Sequence, residues 1–340
     1  MSNQLKTILQ FVIGIALAGG LLYYVYQDTS WEELSNDLGK ADLFWVLMSG
    51  LTLFGVFVAR TLRWQMMLES SGFHPKKKHT LLSVLVLYLV NSVTPKIGEI
   101  VRCTILYRTD KVPVASGLGT VVTERVIDAL VLFGGLGLIF LFEIERLGSL
   151  FGEIFASLSE KFGGIDSSIL IGGGIGLLVL GVAGIWFLSS KKTDGDGLLG
   201  KIKSFALSML DAAKSIFQLE KPWLFIVYTI LIWGLLILMN YFFILSLPDT
   251  RELGLYFAIL ILFIGGIGWA LPVPGGMGST HFIVVQLFLA FGLAEKAGLN
   301  IGALSNGVTW IFSVGYGLIA LAILIPLISR TPQTDEGEKS

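Results

Sequence analysis

The sequence predicts an all-α polytopic membrane protein with six full spans, two re-entrant helical hairpins and an inverted repeat, together about eight membrane segments. Three observations support this fold class. Of the 340 residues, 54% are hydrophobic and only 14% are charged, against about 25% charged in an ordinary soluble domain. Apolar runs of about 20 residues, the length that crosses a bilayer, recur along the chain. Two shorter apolar runs are interrupted by proline and glycine. These features exclude a soluble globular enzyme.

The full spans are the segments that are long and apolar enough to cross roughly 30 Å of hydrocarbon. A signal peptide is not expected at the N-terminus, because the first apolar run is longer than a signal-peptide core and does not end in small residues. It is predicted to be a retained span. The predicted spans are 6–26, 43–63, 113–142, 169–188, 222–247 and 301–328.

Two shorter apolar stretches each end at a break in the chain. The stretch 81–93 runs into Thr94-Pro95, and the stretch 256–271 runs into a segment rich in proline and glycine. Proline removes a backbone donor and glycine loosens the chain, so each break exposes peptide groups that lipid cannot satisfy. Each break is therefore expected to form the sheltered turn of a re-entrant hairpin, one over 81–109 and one over 255–293.

Loop charge predicts the orientation of these segments. Short cytoplasmic loops are enriched in Lys and Arg. Two basic segments, 60–78 and 191–221, are therefore placed inside, and two acidic loops, 28–42 and 143–166, are placed outside. Both termini are then cytoplasmic, and the two hairpins enter the membrane from opposite sides.

The order of the segments predicts an inverted repeat. Each repeat contains a span, a second span, a re-entrant hairpin and a last span, over 1–142 and then over 143–330. A disordered cytoplasmic tail, 331–340, is expected to follow. Apolar and charged residues at helical spacing also predict an interfacial helix over 201–219. Inverted repeats with broken helices are typical of transporters that expose a midplane site alternately to each side of the membrane.

The first break precedes two ionisable residues. Glu99 and Arg102 are three residues apart and are expected to pair on one face of a helix. One interpretation is that Arg102 binds a lipid phosphate, because a guanidinium group can donate two parallel hydrogen bonds to phosphate oxygens. The other is a structural ion pair that holds the hairpin.

The span 113–142 carries the second group of charges. Glu124, Arg125 and Asp128 fall within about a 100° arc of one helix. If the helix begins at the start of this span, Glu124 lies near the midplane, and the group suits headgroup coordination or proton coupling. If the helix begins near Val126, the group is an interfacial salt bridge.

The second break precedes a histidine. Ser279 or Thr280 is predicted to cap the returning helix, and the free amides before it offer a place for an anion. His281 is either a member of this site or a packing residue. Arg60 and Arg63 either anchor the second span, with Trp64 at the interface, or attract anionic headgroups. The predicted substrate-binding residues are Arg60, Arg63, Pro95, Gly98, Glu99, Arg102, Glu124, Arg125, Asp128, Pro274, Gly275, Gly276, Gly278 and His281.

Taken together, four motifs resemble a known family, the flippase-like membrane proteins related to the transmembrane region of bacterial lysylphosphatidylglycerol synthases. The resemblance implies a protein of the bacterial cytoplasmic (inner) membrane that moves anionic, aminoacylated or polyprenyl-linked lipid. The family often has Glu where this chain has His281, so a histidine would replace a carboxylate in proton coupling. The motifs are Arg60-x-x-Arg63-Trp64, Pro95-x-x-Gly98-Glu99-x-x-Arg102, Glu124-Arg125-x-x-Asp128 and Pro272-x-Pro274-Gly275-Gly276-x-Gly278.

The preferred hypothesis is a lipid flippase whose partners are the membrane and an anionic phospholipid or polyprenyl-phosphate lipid. The alternatives are an integral membrane transferase acting on a lipid-linked substrate and a non-catalytic membrane partner. An enzyme is disfavoured, because the soluble aminoacyl-transfer domain of the synthases is not expected in the ten residues after Arg330. No catalytic residue, cofactor or metal site is predicted, and a net charge of -1 gives no field for nucleic acid. A homo-oligomer is compatible with the sequence.

Overall fold

The computed structural model of the protein describes residues 3–94, 97–144, 146, 219–270 and 273–329. Within these ranges every regular element is a helix, which confirms the all-α prediction. The elements are α1 (Asn3–Tyr26), α2 (Trp31–Leu38), α3 (Leu43–Ser70), α4 (Lys77–Val93), α5 (Gly98–Asp110), α6 (Val114–Phe142), α7 (Pro222–Ser246), α8 (Leu255–Ala270), α9 (Ser279–Ala290) and α10 (Glu295–Ser329), with 3-10 turns at Pro248–Thr250 and Pro274–Gly276.

Four of the predicted spans are confirmed as helices that are long and apolar enough to cross a membrane, namely α3, α6, α7 and α10. The first predicted span lies within α1. The protein is thus a multi-pass integral membrane protein. The predicted span 169–188, the tail 331–340 and Pro95 lie outside the described residues, as does the predicted helix 201–219 apart from its last residue.

The described residues fall into two compact units. One takes in those of Met1–Val122, Glu220–Leu289 and Leu293–Ser340. The other takes in those of Thr123–Leu219 and Ala290–Gly292.

In the first unit, α4 and α5 pack against each other as an antiparallel hairpin around the first break. They have 17 and 13 residues, which at 1.5 Å per residue gives lengths of about 25 and 20 Å. Near the break, the space beside Gly98 is filled by Leu87 and Asn91, whose Oδ1 would lie 2.7 Å from an added Cβ. At the far end, His79 Nδ1 lies 2.8 Å from Asp110 Oδ2. Judged by these lengths, each of the two helices is shorter than a full span of about 30 Å.

The second hairpin, α8 and α9, has the same construction. The helices contain 16 and 12 residues. Near the break, a Cβ on Gly268 would lie 2.7 Å from the backbone of Thr280. At the far end, the rings of Phe257 and Phe288 are 5.0 Å apart. In both hairpins a glycine lets the two backbones approach closely beside the break.

The long helices α3 and α7 pack antiparallel. Gly55 of α3 faces Leu235 of α7, whose Cδ1 would lie 3.4 Å from an added Cβ. At one end of the pair, the Asp42 N–H donates to the Ser246 carbonyl at 2.8 Å. Apolar contacts between buried side chains fill the middle. The members of this cluster are Val56, Ala59 and Ile232, with Trp233, Leu235 and Leu236 packed against them.

The short helix α2 is tied to the start of α10 by ion pairs. Ser30 caps α2 by accepting the Glu33 N–H at 3.1 Å. Lys296 Nζ lies 2.7 Å from Glu33 Oε1 and 2.9 Å from Asp37 Oδ2. Lys40 Nζ donates to Asp37 Oδ1 at 2.7 Å. Asp37 thus links two lysines that are distant in sequence.

We expect this cluster to weaken in acid. Side-chain hydrogen bonds from Lys40 and then Lys296 lower the pKa of Asp37 from 3.8 to about 2. Because the folded-state pKa is depressed, the stabilisation is complete above pH 3.8 and is lost as pH falls towards 2. Thermal unfolding in detergent should give Asp37→Asn a lower Tm than the native chain at pH 7. The two Tm values should converge by pH 2, and a difference that does not change with pH would contradict this account.

Candidate functional site

The clearest site in the first unit is a buried ion pair that follows the first break. Arg102 of α5 is only 1% exposed. Its Nη2 lies 2.8 Å from Glu99 Oε2, as the three-residue spacing predicts. Its Cζ lies 4.3 Å from the centre of the Trp64 ring, a distance at which the ring attracts a cation. The guanidinium group is thus held by a carboxylate and by an aromatic face.

Trp64 is fully buried, so its predicted position as an interfacial anchor is wrong. Its Nε1 donates to Thr120 Oγ1 of α6 at 2.9 Å. The ring packs in an apolar cluster because α3, α4, α5 and α6 converge around it. The ring that Arg102 contacts is therefore fixed by hydrogen bonding as well as by packing. The other buried members of the cluster are Leu68, Val84, Cys103, Leu106, Val112 and Val121.

Arg63 points in a different direction from its neighbour Trp64. It is fully buried, its Nη1 lies 3.3 Å from Thr229 Oγ1 of α7, and its Cζ lies 5.5 Å from the centre of the Phe225 ring. A side chain without exposure cannot act as a headgroup anchor in this conformation. Arg60, one turn earlier, is partly exposed and remains compatible with that role.

The second unit contains the other charged group. Arg125 Nη2 lies 2.9 Å from Glu124 Oε1 and 3.3 Å from Asp128 Oδ2, so the three side chains share one face as predicted. Glu124 is completely buried, whereas the Arg125 side chain is 43% exposed. The helix α6 begins at Val114, so the alternative in which it begins near Val126 is wrong. Glu124 is then about 15 Å along the helix.

The second break is shaped by glycines. Gly275, Gly276 and Gly278 have φ angles of 56°, 67° and 78°, which strain other residues. Three amides of the break have internal acceptors, since Gly276 donates to Val273, Met277 donates to Pro274, and Gly278 donates to His281 Nδ1. The three amides that directly precede α9 already donate hydrogen bonds within the protein, so they are not available as donors to the predicted anion.

The prediction that Ser279 or Thr280 caps α9 is wrong. The Ser279 hydroxyl lies 2.9 Å from the Gly268 carbonyl oxygen and 3.1 Å from the Gly276 carbonyl oxygen, and these two acceptors share its one proton. His281 takes the capping role, because its Nδ1 accepts the Gly278 N–H at 3.2 Å. The acceptor role of Nδ1 leaves the proton of a neutral ring on Nε2. His281 is buried and its ring meets that of Tyr26 edge-on, with centres 5.7 Å apart.

The two breaks lie close together in the first unit, and α10 connects them. Trp310 Nε1 donates to the Ser92 carbonyl in the last turn of α4 at 3.2 Å. One turn earlier on α10, Asn306 Nδ2 donates to the Gly275 carbonyl at 2.9 Å. Both acceptors are carbonyls near helix interruptions, where intrahelical partners are missing. In addition, α4 contacts the turn Pro274–Gly276.

The sequence matches the family model described as "Lysylphosphatidylglycerol synthase TM region" over residues 11–317. The chain belongs to this family. A UPF0104 membrane protein of Pyrococcus horikoshii is 23% identical over 346 residues, which cover 93% of this chain and 97% of the relative. Another, from Methanocaldococcus jannaschii, is 24% identical over 334 residues, which cover 94% and 95%. No solved structure matches the chain.

The match to the lysylphosphatidylglycerol synthase TM region takes in every candidate residue, from Arg60 to His281. Sequence reasoning missed the contacts made by Thr120, Asn306 and Trp310. Thr120 lies among small and apolar residues, which gives no signal. A faint signal exists for the other two, because an amide and an indole four residues apart share one face of a span that has no charges.

Proposed function

We propose that this protein moves an anionic or polyprenyl-linked lipid between the two leaflets of a membrane. The observation that carries the proposal is the buried guanidinium of Arg102, which is paired with Glu99 and stacked on Trp64 directly after a broken apolar helix. A charge at the membrane centre costs about 2.5–3.5 kcal/mol by insertion scales, and such charges usually mark a functional site. Guanidinium also suits phosphate recognition.

Re-entrant hairpins fit the lengths of the broken helices. Of the four helices in the two hairpins, α4 is the longest at about 25 Å and α9 the shortest at about 18 Å. None of them reaches the roughly 30 Å of the hydrocarbon core. Of the described residues at the second break, Val273, Pro274 and Gly276 are buried, as peptide groups away from water require. Asn306 and Trp310 each donate a hydrogen bond to one carbonyl beside a break.

The inverted repeat is supported by contacts that recur at a nearly constant offset along the chain. Gly117 of α6 packs on Cys103 of α5, and Gly298 of α10 packs on Val285 of α9, each with an added Cβ 3.0 Å from its neighbour. Likewise, α3 packs on α4 as α7 packs on α8. The antiparallel contact of α3 and α7 is what a two-fold axis between the repeats 1–142 and 143–330 requires.

In this proposal the lipid headgroup enters beside the hairpins while its acyl chains stay in the bilayer. The phosphate then accepts hydrogen bonds from the Arg102 guanidinium in competition with the Glu99 carboxylate. The opposite orientation of the two hairpins then gives each leaflet one break. Following the positive-inside pattern, we place the first hairpin and both termini on the cytoplasmic side of a bacterial inner membrane.

Reconstitution into liposomes tests the proposal. The native chain should speed the movement of a fluorescent phosphatidylglycerol between leaflets, measured by headgroup quenching, beyond the rate in protein-free vesicles. Arg102→Ala should lower this rate at least about tenfold, as expected for a lost charge-assisted contact. Arg251→Ala is the matched control, because Arg251 makes an exposed ion pair with Asp42, outside the site, and should leave the rate unchanged.

The alternatives give different results in the same vesicles. A chemically altered lipid, detected by mass spectrometry, would identify a transferase. Absence of both translocation and product, from a folded chain, would favour a non-catalytic membrane partner. Equal rates for the native chain and Arg102→Ala would contradict the assignment of the site.

A further inference from the structure

Thr280 is the second residue of α9, and its side chain lies in the second break. It is 6% exposed, and among the described residues its hydroxyl has no hydrogen-bond partner. A Cβ on Gly276 would lie 2.7 Å from Thr280 Oγ1. The hydroxyl therefore lies beside Gly276, in the space that a side chain at this position would take. A buried hydroxyl without a partner is costly and calls for an explanation.

Other buried threonines show what is missing at this position. The Thr61 hydroxyl donates to the Phe57 carbonyl at 2.8 Å, and the Thr229 hydroxyl donates to the Phe225 carbonyl at 2.8 Å. Both bonds run to the residue four positions earlier in the same helix. For Thr280 that residue is Gly276, which lies in the break and is not helical with α9. The hydroxyl is therefore left available at the start of the helix.

The start of α9 adds further donors. Its first intrahelical hydrogen bond runs from the Phe282 N–H to the Gly278 carbonyl at 2.9 Å. The amides of 279–281 come before this bond and have no partner within the helix. Aligned peptide dipoles also make this end of the helix positive. The break thus offers a hydroxyl donor and amide donors at one place, which is a suitable environment for an anionic oxygen.

One side of this place lies at the surface of the protein. The Trp269 ring lies 3.2 Å from the position of a Cβ on Gly276, and Trp269 is itself exposed. The described residues of the hairpin, 255–270 and 273–290, carry no Asp, Glu, Lys or Arg. An anion that binds here would therefore be held by dipoles, in contrast to the arginine at the first break.

We propose that Thr280 and the first turn of α9 bind an oxygen of a phosphate group at the second break. This inference rests on the proposed lipid transport and deepens it. The phosphate is held by charge at the first break and by uncharged donors at the second, so the second break releases it more readily. The shared chemistry is a phosphate oxygen, whether it belongs to a lipid headgroup or to free phosphate.

Binding to the purified full-length chain in detergent tests this inference without any transport step. The probes are dihexanoylphosphatidylglycerol, glycerol 3-phosphate and inorganic phosphate, each measured by titration calorimetry. Thr280→Val, which keeps the shape but removes the hydroxyl, should weaken binding of the short-chain lipid about tenfold, as for a hydrogen bond to a charged group. Thr280→Ser should bind as the native chain does. Thr61→Val is the matched control and should also bind normally.

The outcomes separate this site from the proposed function. Native affinity in Thr280→Val, or equal loss in Thr280→Ser, would overturn the site even if the native chain moves lipid. Loss of binding in Thr280→Val alone supports the site even if reconstituted vesicles show no translocation. Tight binding of inorganic phosphate, with the same loss in Thr280→Val, supports the site and assigns it to free phosphate.

Discussion

Replacing Gly317 by alanine is expected to destabilise the protein by about 1–3 kcal/mol, the usual cost of overpacking a tight contact. On α10, Gly317 faces α4, and an added Cβ would collide with Leu89 and lie 3.0 Å from the Leu85 carbonyl oxygen. The collision involves a Cβ and backbone, which cannot rotate away. The two helices must therefore separate to admit one methyl group.

Gly315, two residues away on the same helix, is the matched control. An added Cβ there meets nothing within 4 Å. Alanine favours a helix by about 0.8–1.0 kcal/mol over glycine, so Gly315→Ala should match or slightly exceed the native Tm. Thermal unfolding in detergent measures both variants. Equal Tm values for the two variants would show that the close contact of α4 and α10 is absent.

A second consequence of Gly317→Ala concerns the breaks. The same two helices are joined one to two turns away by the bond from Trp310 to the Ser92 carbonyl. Separation of α4 from α10 should lengthen this bond. The bond from Asn306 to the Gly275 carbonyl joins α10 to the second break and does not involve α4. Lipid translocation should therefore fall more in Gly317→Ala than the loss of folded protein alone explains.

Local sequence patterns predicted the features that depend on local geometry. Apolar length gave α3, α6, α7 and α10, because a span must be long and apolar to cross the bilayer. The pair of Glu99 and Arg102 followed from their spacing on one turn. The shared face of the charged group in α6 followed from helical periodicity in the same way.

Long-range contacts were not predictable in this way. Trp64 resembles an interfacial anchor because it follows two arginines, yet four helices converge on it and bury it. Ser279 resembles a helix cap, yet its hydroxyl is drawn to the Gly268 carbonyl by the close approach of α8. In both cases the partner is distant in sequence, so that local propensity gives no information about it.

Removing both charges of the first site is expected to restore stability without restoring transport. In Arg102→Met the carboxylate of Glu99 loses the guanidinium that lies 2.8 Å away. Removal of one member of a buried pair costs about 3–5 kcal/mol, because the other charge is left uncompensated. In Glu99→Gln/Arg102→Met neither charge remains, and methionine can still pack on the Trp64 ring.

The free energy of unfolding of the double variant should therefore lie within about 1 kcal/mol of the native value, since neutral replacement of a buried pair is often tolerated. Its rate of phosphatidylglycerol translocation should remain at least about tenfold below the native rate, because no guanidinium is left to bind phosphate. Chemical or thermal unfolding in detergent and headgroup quenching in vesicles measure the two quantities separately.

This pair of measurements decides between the two interpretations of the ion pair. If Glu99 and Arg102 only hold the hairpin, the variant that regains stability regains transport as well, since the hairpin no longer needs the pair. If Arg102 contacts the lipid, stability and transport separate, because the phosphate requires a cation that the fold does not. The separation is sharpest for Arg102, which is almost fully buried yet follows directly after a break. The guanidinium contacts Glu99 and Trp64, and glutamine and methionine can replace these two contacts by neutral packing.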